Sequence, residues 1–191
     1  VRKLVAFEHM TVDGYAASNE GLGFEFTWRA YSEELSAYGD EHIRADVDTA
    51  LYGRATYLGM REYWSAVPAD PAASQHEQVH AEWVNGVEKI VFSTTLESAG
   101  WTNARVIGSD VEAQVRALKA GPGGTMQIYA SPKLVHSFVG LGLIDEFRIV
   151  LHPGTLGAGT PLFPDKSALD LDLVESKAFA SGAVYLRYRV A

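Results

Sequence analysis

Met126-Gln127-Ile128-Tyr129-Ala130-Ser131-Pro132-Lys133-Leu134, followed by Gly142-Leu143-Ile144-Asp145-Glu146-Phe147, decides the fold. Met126 to Tyr129 reads as an apolar strand that turns at two small residues and enters a helix through Pro132. Proline is favoured at the first helical position because its missing N–H would be unpaired there anyway. Small residues before it let the backbone approach a ligand. The N–H groups of the first helical turn then point outward with partial positive charge, a ready site for a phosphate. The helix ends near Gly140 and Gly142, and a strand from Phe147 to Leu151 follows. By itself the segment is equally an ordinary strand–helix–strand unit whose loop binds nothing.

A second turn of the same kind lies far upstream. Ala50-Leu51-Tyr52 runs into Gly53-Arg54-Ala55-Thr56-Tyr57, another short apolar strand entering a helix, now with a guanidinium and a hydroxyl beside the exposed N–H groups. Two anion-ready helix starts suggest a ligand with more than one phosphate. The other reading is a surface arginine and a capping threonine.

Working outward, the strands are expected at Lys3–His9, Thr49–Tyr52, Lys89–Phe92, Ala104–Ile107, Met126–Tyr129 and Glu146–Leu151. Most are short apolar runs bounded by turn residues, as expected where both faces of a strand are covered. Val111, Val115 and Leu118 mark a helix with Ser109-Asp110 as its N-cap and Gly121-Pro122-Gly123-Gly124 as its stop. Tyr31 to Ala45 reads as a longer acidic helix, and Arg54–Glu62 and His76–Val84 as two more. Trp64 to Gln78, with Pro68, Asp70 and Pro71, reads as a mobile loop. Leu169–Phe179 and Ala183–Val190, joined at Ala180-Ser181-Gly182, carry a hairpin signal. The fold class is α/β, a mostly parallel mixed sheet closed at one edge by a C-terminal antiparallel hairpin.

Composition sets the bounds. At 191 residues and 47% hydrophobic content the chain can build one substantial core, so 1–191 is expected to be a single domain. Sixteen lysines and arginines against 24 aspartates and glutamates give a net charge of −8, which disfavours a general nucleic-acid role because phosphate repulsion would dominate. The absence of cysteine excludes disulfides, thiolate metal sites and cysteine nucleophiles. No metal site is expected. Val1-Arg2-Lys3 leads straight into a strand too short for a signal sequence or membrane span, so a soluble cytoplasmic protein is expected.

Four pieces together resemble the dihydrofolate reductase-like superfamily, in particular single-domain relatives of the reductase (C-terminal) domain of riboflavin biosynthesis. They are Met10-Thr11-Val12-Asp13-Gly14-Tyr15, Leu51 to Tyr57, Lys89-Ile90-Val91-Phe92-Ser93-Thr94-Thr95-Leu96, and the segment from Met126 through Asp145-Glu146 to His152-Pro153-Gly154-Thr155-Leu156-Gly157-Ala158-Gly159-Thr160-Pro161-Leu162-Phe163. The resemblance implies a three-layer α/β/α fold, a homodimer, and an NADPH-dependent reductase acting on a small pterin-, folate- or pyrimidine-like substrate. It implies that Gly53, Arg54, Ala55 and Thr56 contact the cofactor's phosphates, as do Ala130, Ser131, Pro132 and Lys133. Ser93, Thr94 and Thr95 then meet its adenosine end; read alone, they are equally an ST-turn satisfying its own backbone. The family pattern usually has glycine where Ala130 stands, and alanine makes unusual backbone geometry there more costly. No basic residue directly follows the three hydroxyls, which leaves NADPH against NADH open.

On the substrate side, Asp13 is the candidate acid, either delivering a proton or merely closing an Asp-Gly turn. Glu34, on the acidic helix, is the candidate substrate carboxylate by analogy with dihydrofolate reductases, although an acidic surface helix explains it as well. Trp28 is a stacking platform for a flat ring or a core anchor. His80-Ala81-Glu82 matches the start of a deaminase zinc motif by chance, since the cysteines that must accompany it are missing. Gly157-Ala158-Gly159 lacks the third glycine and the following helix of a dinucleotide fingerprint and is expected to shape a loop. The alternative to an enzyme is a non-catalytic nucleotide- or pterin-binding protein on the same scaffold.

Overall fold

The structure is a computed structural model that describes residues 1–20, 23–164 and 168–191. The strands are β1 (Leu4–Thr11), β2 (Tyr15–Ala17), β3 (Val47–Gly53), β4 (Glu88–Phe92), β5 (Ala104–Ile107), β6 (Thr125–Tyr129), β7 (Glu146–His152), β8 (Thr160–Pro161), β9 (Leu171–Ala178) and β10 (Val184–Val190). The α-helices are α1 (Glu33–Tyr38), α2 (Arg54–Ala66), α3 (Gln75–Gly86), α4 (Val111–Ala120) and α5 (Pro132–Gly140). Among the described residues, eight strands form one sheet in the order β5-β4-β3-β6-β1-β7-β10-β9, and β2 pairs with β8 in a separate two-stranded ribbon. β5 to β7 run parallel, and β10 and β9 add the antiparallel hairpin.

Each expected strand forms. β1 is apolar because both its faces are covered: Leu4, Val5 and Ala6 are fully buried. Leu4 and Ala6 join Val115 of α4 and Leu134, Val135 and Phe138 of α5 on one face. Phe7 turns to the other, where Tyr38 of α1 packs on Val150 and Tyr185, and Tyr57 of α2 packs on Ala50, Tyr52 and Tyr129. Helices on both faces give the three layers.

Three local expectations need correction. Tyr31–Ala45 is not one helix. Ser32 accepts the Leu35 N–H and starts α1 at Glu33, and the chain then widens into a π turn over Gly39–Ile43, while Glu25–Ala30 forms a separate 3₁₀ turn. Trp64–Gln78 is mostly helical rather than a loop. α2 runs on to Ala66, a 3₁₀ turn follows at Val67–Ala69, and a capping box in which Ser74 and Glu77 bond reciprocally launches α3. Asp110 precedes α4 as expected but caps nothing with its side chain. It sits at φ 49°, a left-handed conformation that aspartate tolerates better than most residues.

The amino ends of the strands are tied by ion pairs. The buried Arg148 guanidinium donates to Ile43 O, to Gln127 Oε1 at 3.2 Å, to Asp46 at 2.9 and 3.0 Å, and to Glu146 at 2.9 Å. Arg187 adds two bonds to Glu146, at 2.8 and 3.0 Å. Burial alone would raise the Glu146 carboxyl pKa, but the Arg187 and Arg148 guanidiniums outweigh it and hold it low. Lys89, fully buried at the start of β4, donates to the carbonyls of Val84, Asn85 and Val87 and so closes the end of α3.

Candidate functional site

β3 and β6 are neighbours, yet α2 leaves β3 for one face of the sheet and α5 leaves β6 for the other. The point between two such strands, at their carboxyl ends, is the switch-point crevice where ligands of open α/β sheets collect. Both anion-ready turns therefore lie at one place. They are also bonded to each other: Gly53 N–H donates to Ser131 Oγ at 3.0 Å, and Thr56 Oγ1 donates to Ala130 O at 2.7 Å. Ser131 Oγ donates in turn to Tyr129 O at 2.8 Å, and Ser131 N–H to the Glu8 carboxyl at 2.7 Å.

This junction forces Ala130 to φ 44°. For a residue with a Cβ the left-handed region costs roughly 1–2 kcal/mol. Full burial of Val135 and Phe138 on the helix that follows stabilises by about 1.5–3 kcal/mol each and outweighs that strain. Alanine is thus tolerated where glycine would sit unstrained.

The candidate cofactor residues divide by what they already bond. Arg54 and Lys133 are exposed at the first turns of α2 and α5, and among the described residues neither has an ion pair. Ala55 is exposed beside Arg54, and Pro132 occupies the first turn of α5. Thr56 and Ser131 spend their hydroxyl protons on the junction itself. Ser93 Oγ accepts from the N–H groups of Thr95 and Leu96, an ST-turn that leaves Thr94 and Thr95 exposed at the end of β4. Two unpaired cations beside two helix starts fit a pyrophosphate.

The substrate-side candidates are not brought together. The exposed Asp13 accepts from Thr11 Oγ1 at 2.6 Å and from the N–H groups of Leu156 and Gly157 at 3.1 and 2.8 Å. Those bonds, the Thr11 hydroxyl first, lower its pKa, so the carboxylate pins one loop to another and holds no proton near neutrality. Glu34 lies away from the crevice, paired with Lys177 of β9 at 3.0 Å. Trp28 is 60% exposed in the 3₁₀ turn and meets Phe24 edge-on with centroids 6.3 Å apart, so it anchors no core. His80 is half-buried beside Arg44, Trp64 and Trp83, away from any metal-binding company among the described residues. Gly157-Ala158-Gly159 shapes a loop: at Gly159, φ 152°, an added Cβ would lie 2.3 Å from Ala17 O.

Three titratable groups at this edge escaped the sequence reading. Glu8 is 1% exposed, and burial pushes its pKa up to about 8 despite the Ser131 N–H bond. His9 and His152, at the ends of β1 and β7, bond to each other through Nδ1 and Nε2 at 2.7 Å. Burial, and for His9 the neighbouring His152, lowers their pKa values to about 3 and 4. Polar residues inside otherwise apolar strands that end at the functional edge were the available signal.

Known proteins resemble this chain along almost its whole length. The uncharacterized protein YyaP of Bacillus subtilis is 30% identical over 98% of this chain and 94% of its own length. Among solved structures, a protein from Shewanella sp. PV-4 described as a riboflavin biosynthesis protein superposes with a TM-score of 0.75 at 20% identity, covering 99% of each chain. Dihydrofolate reductase from Enterococcus faecalis, in a complex containing NADP(H), superposes with a TM-score of 0.61 at 14% identity, covering 98% of this chain and 96% of that one. At those identities the two structures establish the fold, which is dihydrofolate reductase-like. The RibD C-terminal domain family matches residues 2–185, and the chain belongs to that family.

Proposed function

We propose that this protein is an NADPH-dependent reductase of a small pterin-, folate- or pyrimidine-like heteroaromatic compound. The observation that carries the reading is the bonded pair of helix starts, with the unpaired Arg54 and Lys133 beside them. Backbone N–H groups with partial positive charge and a guanidinium able to bond in a fork make a phosphate site from each turn. Gly53–Thr56 and Ala130–Lys133 would hold the pyrophosphate, and the exposed Thr94 and Thr95 would meet the adenosine end. When bound, the nicotinamide supplies hydride to a C=N or C=O bond, while the protein contributes orientation and electrostatics.

The reading extends to a single domain working as a homodimer in the cytoplasm, with no nucleic-acid partner. A place in riboflavin biosynthesis follows from the family. No helix among the described residues is long and apolar enough to cross a membrane.

A non-catalytic nucleotide-binding protein is the second reading, favoured by the Asp13 carboxylate being taken up in loop pinning. Calorimetric titration with NADPH and then NADH tests the first. Micromolar affinity is the expected result, and no heat up to millimolar cofactor would overturn it. Turnover of candidate heteroaromatic compounds by the NADPH-saturated protein then separates enzyme from binder.

A further inference from the structure

Beyond Phe7, β6 leaves β1, since Phe7↔Tyr129 is the last pair of that ladder, while β1 stays paired with β7 as far as Thr11↔His152. His9 therefore stands past the last β6 pair, at the carboxyl edge where the two helix starts lie, on the sheet face opposite Glu8 and shared with Phe7. His9 Nδ1 is bonded to His152 Nε2 at 2.7 Å. His152 is 2% exposed, and its Nδ1 is buried with no partner.

That orphan atom settles the tautomers. Both imidazoles are neutral at physiological pH, so a single proton lies between them. If His9 supplied it, His152 would carry its own proton on Nδ1, a buried N–H with no acceptor. If His152 Nε2–H supplies it, Nδ1 is a bare lone pair instead, and orphaned buried N–H groups are the rarer of the two. His152 therefore donates, and the His9 proton is placed on Nε2. That atom has no partner among the described residues, on a ring that remains partly exposed.

We propose that His9 Nε2–H is a neutral hydrogen-bond donor held toward the substrate, with its tautomer fixed by His152 as a positioning residue, and that it takes a ring carbonyl or imine nitrogen as the site of reduction is polarised. The proposal rests on the reductase reading. A neutral imidazole can polarise a carbonyl without surrendering a charge. The surroundings suit a flat ring: Phe7 meets His9 edge-on at 5.2 Å, and Phe26 meets His152 at 5.6 Å. The Phe26 turn also exposes Phe24 and Trp28. The titratable group facing His9 is His152, and the covering turn carries Glu25 and Arg29 as its charged residues.

The test is nitrogen-15 NMR of the histidine rings in the labelled protein without cofactor, with the His9 signals assigned by their loss in His9→Phe. Expected is His9 protonated at Nε2, bare at Nδ1 and unchanged across about pH 5–8, the window in which an ordinary histidine titrates. In His152→Phe the lock is gone, and His9 should sample both tautomers or titrate in that window. A wild-type His9 protonated at Nδ1, or titrating there, would overturn the proposal, as would an unaltered tautomer in His152→Phe. Uracil, a flat ring with amide carbonyls, added to the NADP⁺-saturated protein should shift the His9 Nε2 signal, and no shift would refute the substrate contact. His9→Gln, which keeps a donor, should retain uracil binding that His9→Phe loses; equal binding by both would also refute it. Cofactor affinity is read separately by calorimetry, so failure of the reductase reading leaves the tautomer result standing on its own.

Discussion

The two ends of the same parallel sheet handle buried titratable groups in opposite ways. At the amino ends, the buried Arg148 and Glu146 are gathered with the exposed Asp46 and half-buried Arg187 so that charge is kept: the carboxyls are held low and the guanidiniums high. At the carboxyl ends, the buried Glu8 and His152 and the half-buried His9 have no counter-charge, and burial drives each toward its neutral form. Burial is common to both ends, so it cannot be what sets the charge. The partner sets it. An end saturated with ion pairs resists change, whereas an end of neutral donors and acceptors is ready to meet a polar ligand.

The sharpest way to break this contrast is to remove the hub of the charged end. Arg148→Met leaves Asp46 without its cation and Glu146 with Arg187 and the more distant Lys3. The expected loss is about 2–3 kcal/mol, from the charge-assisted bonds removed and from the Ile43 carbonyl and Gln127 amide oxygen left without the guanidinium. Urea denaturation reads it, and NADPH affinity of the protein that remains folded should hold.

Glu8→Gln acts on the neutral end. The Glu8 pKa is raised from 4.5 to about 8, so between those values the folded state binds more protons than the unfolded chain. Stability contributed by Glu8 is therefore present below pH 4.5 and lost as pH rises to about 8. Glutamine can still accept the Ser131 N–H and does not titrate. The variant should gain on the parent progressively across that window, by up to about 1.4 kcal/mol for each pH unit. Denaturation midpoints that run parallel in pH would show that Glu8 is not the neutral acid described.

Arg54→Ala separates binding from folding. Cofactor affinity should fall by about 1–3 kcal/mol, as for an unpaired charge-assisted bond, with stability within about 0.5 kcal/mol of the parent. Equal losses in both measurements would make Arg54 structural. The smallest effect belongs to Ala130→Gly, which relieves the left-handed strain while loosening the unfolded chain. A net stabilisation of up to about 1 kcal/mol is expected in thermal denaturation, and a destabilised variant would mean that the Ala130 methyl is needed for packing.

Much of this architecture was legible in the sequence because its signals are local. Strand–turn–helix grammar at Ala50–Tyr57 and Met126–Leu134 needs only neighbouring residues, and both turns lie at the carboxyl edge of the sheet, bonded to each other. Trp64–Gln78 was misread because its prolines look like loop residues, while the Ser74–Glu77 box that starts α3 went unread beside them. The functional detail is non-local. His9 meets His152 across 143 positions, and Asp13 finds Leu156 and Gly157 at similar range, so no window of sequence contains either pairing. Candidate residues could be placed at one end of the sheet; which of them would have a proton or a bond to spare could not be read from type alone.

The stitching between the loops after β1 and β7 has one further consequence. Asp13 holds Leu156 and Gly157, Val12 N–H reaches Gly154 O, Leu162 N–H reaches Gly14 O, and Gly159 lies against Ala17. The two segments, distant in the chain, thus share one set of spatial degrees of freedom. Their lengths are coupled: an insertion or deletion in one shifts the register of every bond to the other. Loop transplants between relatives should therefore move both segments together, because either one alone arrives without its template.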